Sequence, residues 1–240
     1  MTSDALPYPI ALKTSTTPQA FEKTLHTIAH DIRSPIRNIL TFSTFLDKDN
    51  PSLSSDSKDH ILEIQKAAKS LETLLQGLLQ VGHNWTTPPH FQLASLQEIV
   101  STAMNNETLT NSDISIQADL PNLICDAEKI STLFKILISN AIKFRAQDKP
   151  SIQIGSTTID QETAFFVRDN GIGIPEKNHL EIGTLFRQLH PKSQYTGHGV
   201  GLYIAKQIIT VHRGKMYLQS TPGEGTTIYF TIPQEQEIFS

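Results

Sequence analysis

At 240 residues, with 38% hydrophobic and 18% charged side chains, the chain falls in the ordinary globular range and is long enough for one large domain or two modest ones. A formal net charge of -4 supplies no basic field for nucleic acid, and the single Cys125 excludes a disulfide framework, which fits a reducing, cytoplasmic setting. No apolar run approaches the ~20 residues of a membrane span, and no basic segment leads into an apolar one at the N-terminus, so neither insertion nor export is expected.

Residues 1–17, with Pro7, Pro9, Ser3 and Ser15, lack periodic patterning and read as a flexible tail. A first helix is expected from near Pro18 to about Leu46, because Phe21, Leu25, Ile28, Ile32, Ile36 and Ile39 recur at helical spacing and make one face oily. His30 lies two residues from both Ile28 and Ile32, so it points away from that face, beside Asp31. Pro35 removes an N–H from the helix and predicts a bend just after the histidine. His26 and His30 are spaced like helical zinc ligands, but no glutamate base stands between them and no third ligand follows. Asp47 to Ser55 reads as a turn, and a second helix capped by Ser55 or Asp56 follows. In it Ile61, Ile64, Ala68, Leu71, Leu75 and Leu78 form a heptad seam broadened by Leu74 and Leu79. One hairpin, residues 18–82, cannot cover faces this broad. Two hairpins across a two-fold axis make a four-helix bundle, and packing on the rest of the same chain is the alternative.

Gly82 to His90, with Pro88 and Pro89, interrupts the pattern, so residues 83–90 are expected as a linker. Residues 91–234 alternate helix and strand. Helices are expected at Ser95–Glu107, Ala127–Phe144 and Gly199–His212. Strands are expected at Asp113–Ala118, Ser151–Ile154, Ala164–Val167, Lys215–Gln219 and Thr226–Ile232, with 235–240 as a tail. The fold class is α+β: a helical hairpin followed by an α/β sandwich.

Three clusters in this second part carry chemistry. Asn140 and Lys143 sit near the end of an apolar helix, where an amide oxygen suits Mg²⁺ and an ammonium suits phosphate. Asp169 to Pro175 follows a strand and holds Gly171 and Gly173. Its glycines let backbone approach a flat ligand, and Asp169 suits an exocyclic amine, although a plain turn explains the glycines equally well. Gly197, Gly199 and Gly201 open a helix whose free N–H groups suit phosphate oxygens, with spacing that is neither a Rossmann fingerprint nor a P-loop.

In this order, with the long loop Glu176–Thr196 between the second and third clusters, the chain resembles the transmitter region of sensor histidine kinases over residues 19–233, in a phytochrome-like form. His30, Asp31 and Pro35 resemble the phosphoacceptor box, Asn140 to Phe144 the N box, and Asp169 to Gly173 and Gly197 to Gly201 the two glycine boxes. Val211 to Gly214 and Ser220 to Thr226 extend the likeness. The resemblance implies a dimerisation and phosphotransfer hairpin followed by the ATP-binding sandwich shared with Hsp90, gyrase B and MutL. It implies that His30 attacks the γ-phosphate of ATP while Asp31 holds the other ring nitrogen. It further implies that Asn140 ligates Mg²⁺, Lys143 contacts phosphate, Phe144 lies against adenine and Asp169 binds the adenine amine. Gly171 and Gly173 would line the base pocket, and Gly197, Gly199, Gly201 and Leu202 would close on the triphosphate. The implied partners are a second copy of the chain, a response-regulator receiver domain and a separate sensory protein.

The chain departs from the family pattern at Ile136, Gly183, Gln188, His198 and Ser34. Ile136 stands where a second polar residue is common, and Arg187 precedes Gln188 where the arginine is usual. The leading expectation is an ATP-dependent protein histidine kinase, and the alternative is a non-catalytic phosphotransfer or scaffold protein. A closure-driven ATPase would want an acidic residue at 136.

Overall fold

A computed structural model describes residues 8–9, 18–86, 88–104, 112–117, 119–146, 149–188 and 199–234. These form two compact units, a hairpin of residues 14–87 and a second unit built on residues 88–240 that also takes in Tyr8–Pro9.

The hairpin consists of α1 (Pro18–Asp49) and α2 (Ser55–Thr86), each long enough to run about 48 Å at 1.5 Å per residue. Helix α1 continues three residues beyond the expected Leu46 and its helical run is unbroken at Pro35. The cap of α2 is Ser54, one residue earlier than expected: its Oγ accepts from Ser57 N–H at 3.2 Å, and its carbonyl takes the first helical bond from Lys58. At the other end α2 passes through Gly82 to Thr86, because a long packed helix absorbs the modest cost of one interior glycine.

The buried seam of the hairpin is Ala29, Ile36 and Ser43 on α1 against Ile61, Ala68 and Leu75 on α2, each set spaced by seven. Ser43 tolerates burial because its hydroxyl donates to the Leu40 carbonyl at 3.0 Å. Of the described members of the expected oily face of α1, Ile36 lies in this seam. Ile28, Ile32 and Ile39 are exposed, as are Phe42, Phe45, Leu46, Leu62, Ile64 and Leu71, while the small Ala29 lets the helices approach. The hairpin therefore leaves a broad apolar surface unpartnered within its own unit.

The second unit is a six-stranded sheet in the order β1-β7-β8-β6-β5-β3. Its strands are β1 (Tyr8–Pro9), β3 (Asp113–Ile116), β5 (Ser151–Ile159), β6 (Glu162–Asp169), β7 (Met216–Thr221) and β8 (Gly225–Thr231). Only β3 and β5 pair in parallel. A two-stranded sheet joins β2 (Gln92–Ser95) to β4 (Asn122–Cys125), and neither of these strands was expected. The helices are α3 (Leu96–Met104), α4 (Ala127–Lys143) and α5 (Gly201–Val211). Tyr8–Pro9 add an edge strand to β7, where a patternless tail was expected.

Adjacent Phe165 and Phe166 in β6 point to opposite faces of the sheet. Phe165 joins Phe230 and, from α4, Phe134 in the main core, with ring centroids 5.7 and 5.6 Å apart. On the other face Phe166, Tyr229 and Tyr217 form one cross-strand row, all buried. Cys125 is fully buried, and its thiol is pushed up to about 11, first by desolvation and then by Asp126, so it is inert.

Asp126 ties the unit together. Its Oδ1 caps α4 by accepting from Lys129 N–H, its Oδ2 accepts from His90 N–H, and its own N–H donates to His212 Nε2, each at 3.0 Å. His212 Nδ1 in turn donates to the Ile208 carbonyl at 2.7 Å, so the buried ring must be the neutral Nδ1–H tautomer. Burial holds its pKa below the ordinary 6.5; the Ile208 carbonyl and Asp126 oppose this and Lys129 adds to it. The unfolded chain binds a proton below pH ~6.5 that the folded chain refuses. The stability that neutral His212 contributes is therefore complete above pH ~6.5 and is lost as the pH falls through the lower folded-state value. Urea unfolding of the second unit between pH 7.5 and 5 should show this slope, and His212→Gln should flatten it. An unchanged slope in the variant would remove His212 from the pH response.

Candidate functional sites

The hairpin carries one of the two groups of interest. Ala29 is buried in the seam, and the next residue, His30, turns outward with 86% of its side chain exposed. Its Nδ1 lies 3.2 Å from Oδ1 of Asp31, itself 71% exposed. A carboxylate at Nδ1 selects the Nδ1–H tautomer and leaves the Nε2 lone pair directed to solvent. Such an arrangement is chemically suited to nucleophilic attack through Nε2.

The second group lies in the sheet unit. Asn140, Lys143 and Phe144 stand at the C-terminal end of α4. This end is stitched to the first glycine turn: Ile172 N–H donates to the Phe144 carbonyl at 3.0 Å, and Arg145 bridges to Gly171. Asp169, at the end of β6, holds the turn from its other side. Its Oδ1 accepts from Gly171 N–H at 2.8 Å and from Thr226 N–H at 3.1 Å. Desolvation raises its pKa and those two N–H bonds pull it back. Oδ2 accepts nothing from the described residues.

The turn is also fastened to the β7–β8 hairpin. Ile174 N–H donates to Ser220 Oγ at 2.8 Å, Gly223 N–H to the Ile172 carbonyl at 2.9 Å, and Ser220 Oγ lies 2.9 Å from Thr226 Oγ1. Gly173 has φ +66, and a Cβ there would lie 2.0 Å from the Thr221 carbonyl oxygen. Its bare side is therefore filled by protein, which changes the reason for the glycine: it lets the turn close on β7 rather than opening space for a ligand.

The second glycine cluster is partly described, and Gly197 lies outside the described residues. Gly199 has φ +69, and a Cβ there would meet the Arg187 carbonyl oxygen at 2.5 Å. Gly201 opens α5 and packs against Ile136, whose Cγ2 would be 3.3 Å from a Cβ at 201. Thus Ile136 fills the contact between α4 and α5. Val200, the cap position, gives α5 no side-chain cap, so the first-turn amides, beginning with those of Gly201 and Leu202, take no side-chain acceptor from it. Such a helix start accommodates anionic oxygens.

Lys143 is half-buried, with Nζ 4.6 Å from the Phe144 ring centroid. Desolvation lowers its pKa, which increases the gain from an anionic neighbour. The Asn140 side chain makes no hydrogen bond to the described residues. The structure thus brings Asn140, Lys143, Phe144, Asp169, Gly171, Gly173, Gly199, Gly201 and Leu202 into one unit, with His30 and Asp31 in the other. Sequence reading assigned no role to Thr226, Ser220 or Glu181; the Ser220–Thr226 stretch was visible as a pattern but not as the partner of Asp169.

Comparison with known proteins identifies both parts. Residues 22–83 match the His Kinase A (phospho-acceptor) domain. Residues 125–236 match the histidine kinase-, DNA gyrase B-, and HSP90-like ATPase domain. The chain belongs to the histidine kinase family. It is 33% identical to cyanobacterial phytochrome A of Nostoc sp. over 88% of this chain and 28% of that protein. It is 30% identical to the adaptive-response sensory kinase SasA of Prochlorococcus marinus over 88% of this chain and 57% of that one. The fold is shared with the Acinetobacter baumannii histidine kinase AdeS, with a TM-score of 0.58 and 18% identity over 86% of this chain and 98% of that chain. The chain spans little more than a quarter of the length of the cyanobacterial phytochromes it matches.

Asp169 supplies a structural test of this site. Asp169→Ala leaves two amides without an acceptor and should lower the unfolding free energy of the sheet unit by about 1–3 kcal/mol, whereas Asp169→Asn keeps an acceptor oxygen and should lose less. Equal stability of both variants in urea unfolding would contradict the pairing.

Proposed function

We propose that this chain is an ATP-dependent protein histidine kinase that phosphorylates His30 and passes the phosphoryl group to an aspartate of a response-regulator receiver domain. The observation that carries the reading is the exposed His30 held through Nδ1 by Asp31 at 3.2 Å, in a chain whose other unit has an ATPase-family fold. The Nε2 lone pair attacks the γ-phosphorus, the P–N bond forms, and the bond from phosphorus to the β,γ-bridging oxygen breaks to release ADP. The charge that grows on the ring is taken up by Asp31, which accepts the Nδ1 proton.

Asp169 Oδ2 receives the exocyclic amine of adenine, with Phe144 and Gly171 around the base. Lys143, the opening amides of α5 from Gly201 and Leu202, and Gly199 just before them take the triphosphate oxygens. Asn140 fits Mg²⁺, because its amide oxygen is a hard donor without a partner among the described residues. When bound, that ion neutralises phosphate charge.

The unpartnered apolar surface of the hairpin favours a homodimeric four-helix bundle. No described helix is long and apolar enough to cross a membrane, and the single buried thiol suits a reducing compartment, so the setting we infer is cytoplasmic. A separate sensory protein is the proposed source of the signal.

Incubation with γ-labelled ATP and Mg²⁺ should give acid-labile, base-stable label that is absent from His30→Gln. Asp31→Asn should bind nucleotide normally and label about 100-fold more slowly, the usual scale of general-base assistance. Nucleotide binding without any label would favour the non-catalytic scaffold, and full-rate labelling of the Asp31 variant would take that residue out of the mechanism.

A further inference from the structure

Between the two glycine turns lies a charged pair that the mechanism above does not use. Arg187 Nε donates to Glu181 Oε2 at 2.8 Å, and its Nη2 donates to Glu181 Oε1 at 2.9 Å. The side chains are 53% and 39% exposed respectively. A single exposed ion pair contributes only about 0–1 kcal/mol to stability, so stability does not account for a two-point fork.

The backbone under this pair is held in place. Thr184 N–H donates to the Glu181 carbonyl at 3.1 Å, Arg187 N–H to the Thr184 carbonyl at 3.2 Å, and Phe186 N–H to the Gly199 carbonyl at 3.1 Å. Phe186 sits at φ +63, and the space beside Gly199 is filled by the Arg187 backbone. Buried Ile182 anchors the Glu181 end. The Arg187 backbone therefore lies against Gly199, within one side chain's reach of the uncapped start of α5. A guanidinium fork fits a phosphate as well as a carboxylate.

We propose that Glu181 is a positioning residue: it parks Arg187 beside the second glycine turn and competes with nucleotide phosphates for it, so that the pair sets nucleotide affinity. The inference rests on the reading of the chain as a nucleotide-binding kinase. Occupation of the site exchanges one bidentate acceptor for another. Glu181 lowers affinity by holding the cation. Arg187 raises affinity only to the extent that it is released.

A double-mutant cycle on the full chain tests this, with affinity for a non-hydrolysable ATP analogue measured by titration calorimetry. Glu181→Gln should bind about tenfold tighter, the scale of one charge-assisted hydrogen bond, and Arg187→Gln about tenfold weaker. In the Arg187→Gln background, Glu181→Gln should change nothing. Arg187→Lys, which keeps the charge and loses the fork, should fall between wild type and Arg187→Gln. An equal effect of Glu181→Gln in both backgrounds, or no tightening when Arg187 is present, overturns the proposal and leaves the kinase reading intact. Failure of the wild-type chain to bind any adenine nucleotide overturns both.

Discussion

The sheet unit depends on one carboxylate oxygen. Asp169 Oδ1 accepts two backbone amides, from Gly171 and Thr226, and so joins the end of β6 to the first glycine turn and to the start of β8. Half-burial alone would favour the protonated acid, and the two N–H donors hold it back toward the ionised form. Once Oδ1 is committed to the fold, Oδ2 is fixed in direction as well. The free oxygen is thereby oriented by the same bonds that close the turn, and the end of α4 follows, because Ile172 and Gly171 are bonded to Phe144 and Arg145.

The hairpin solves a different problem. Its internal seam uses mainly one position in seven on each helix, with Ala29, Ser43 and Ala68 small enough for close approach, and α2 also buries Val81 near its end. Such a seam leaves the larger side chains, Phe42, Phe45 and Leu46 among them, outside it. The same geometry decides the exposure of His30, since the residue after a buried Ala29 is rotated by about 100° out of the contact. Packing and chemistry are therefore adjacent in sequence and opposite in direction.

Much of this was legible from local pattern. The heptad of α2, the outward turn of His30 and the helices and strands around the glycine clusters rest on periodicity and spacing, which are local signals. What was not legible depends on partners distant in sequence. The strands β2 and β4 are only four residues each and exist by pairing with one another. Strand β5 runs through Gly155 to Ile159 because β6 matches it residue for residue, although its polar sequence ends the apolar pattern at Ile154. The Asp126–His212 link spans 86 residues, and Tyr8–Pro9 joins β7 from the other end of the chain. On α1, apolar periodicity marked Ile28, Ile32 and Ile36 as one oily face, and within the hairpin the seam takes Ile36 together with the small Ala29, because close approach as well as hydrophobicity decides that contact. Glycines were visible as turn signals, while their bare sides proved to face protein backbone at Thr221 and Arg187.

We propose that Asp169 reads an adenine amine. The most direct test compares binding of ATP and of inosine triphosphate, in which a carbonyl replaces the amine at the same position. The account predicts that the wild-type chain binds ATP at least about 100-fold more tightly, since the swap removes a donor and sets an oxygen against an oriented carboxylate. Equal affinity for the two nucleotides would contradict it.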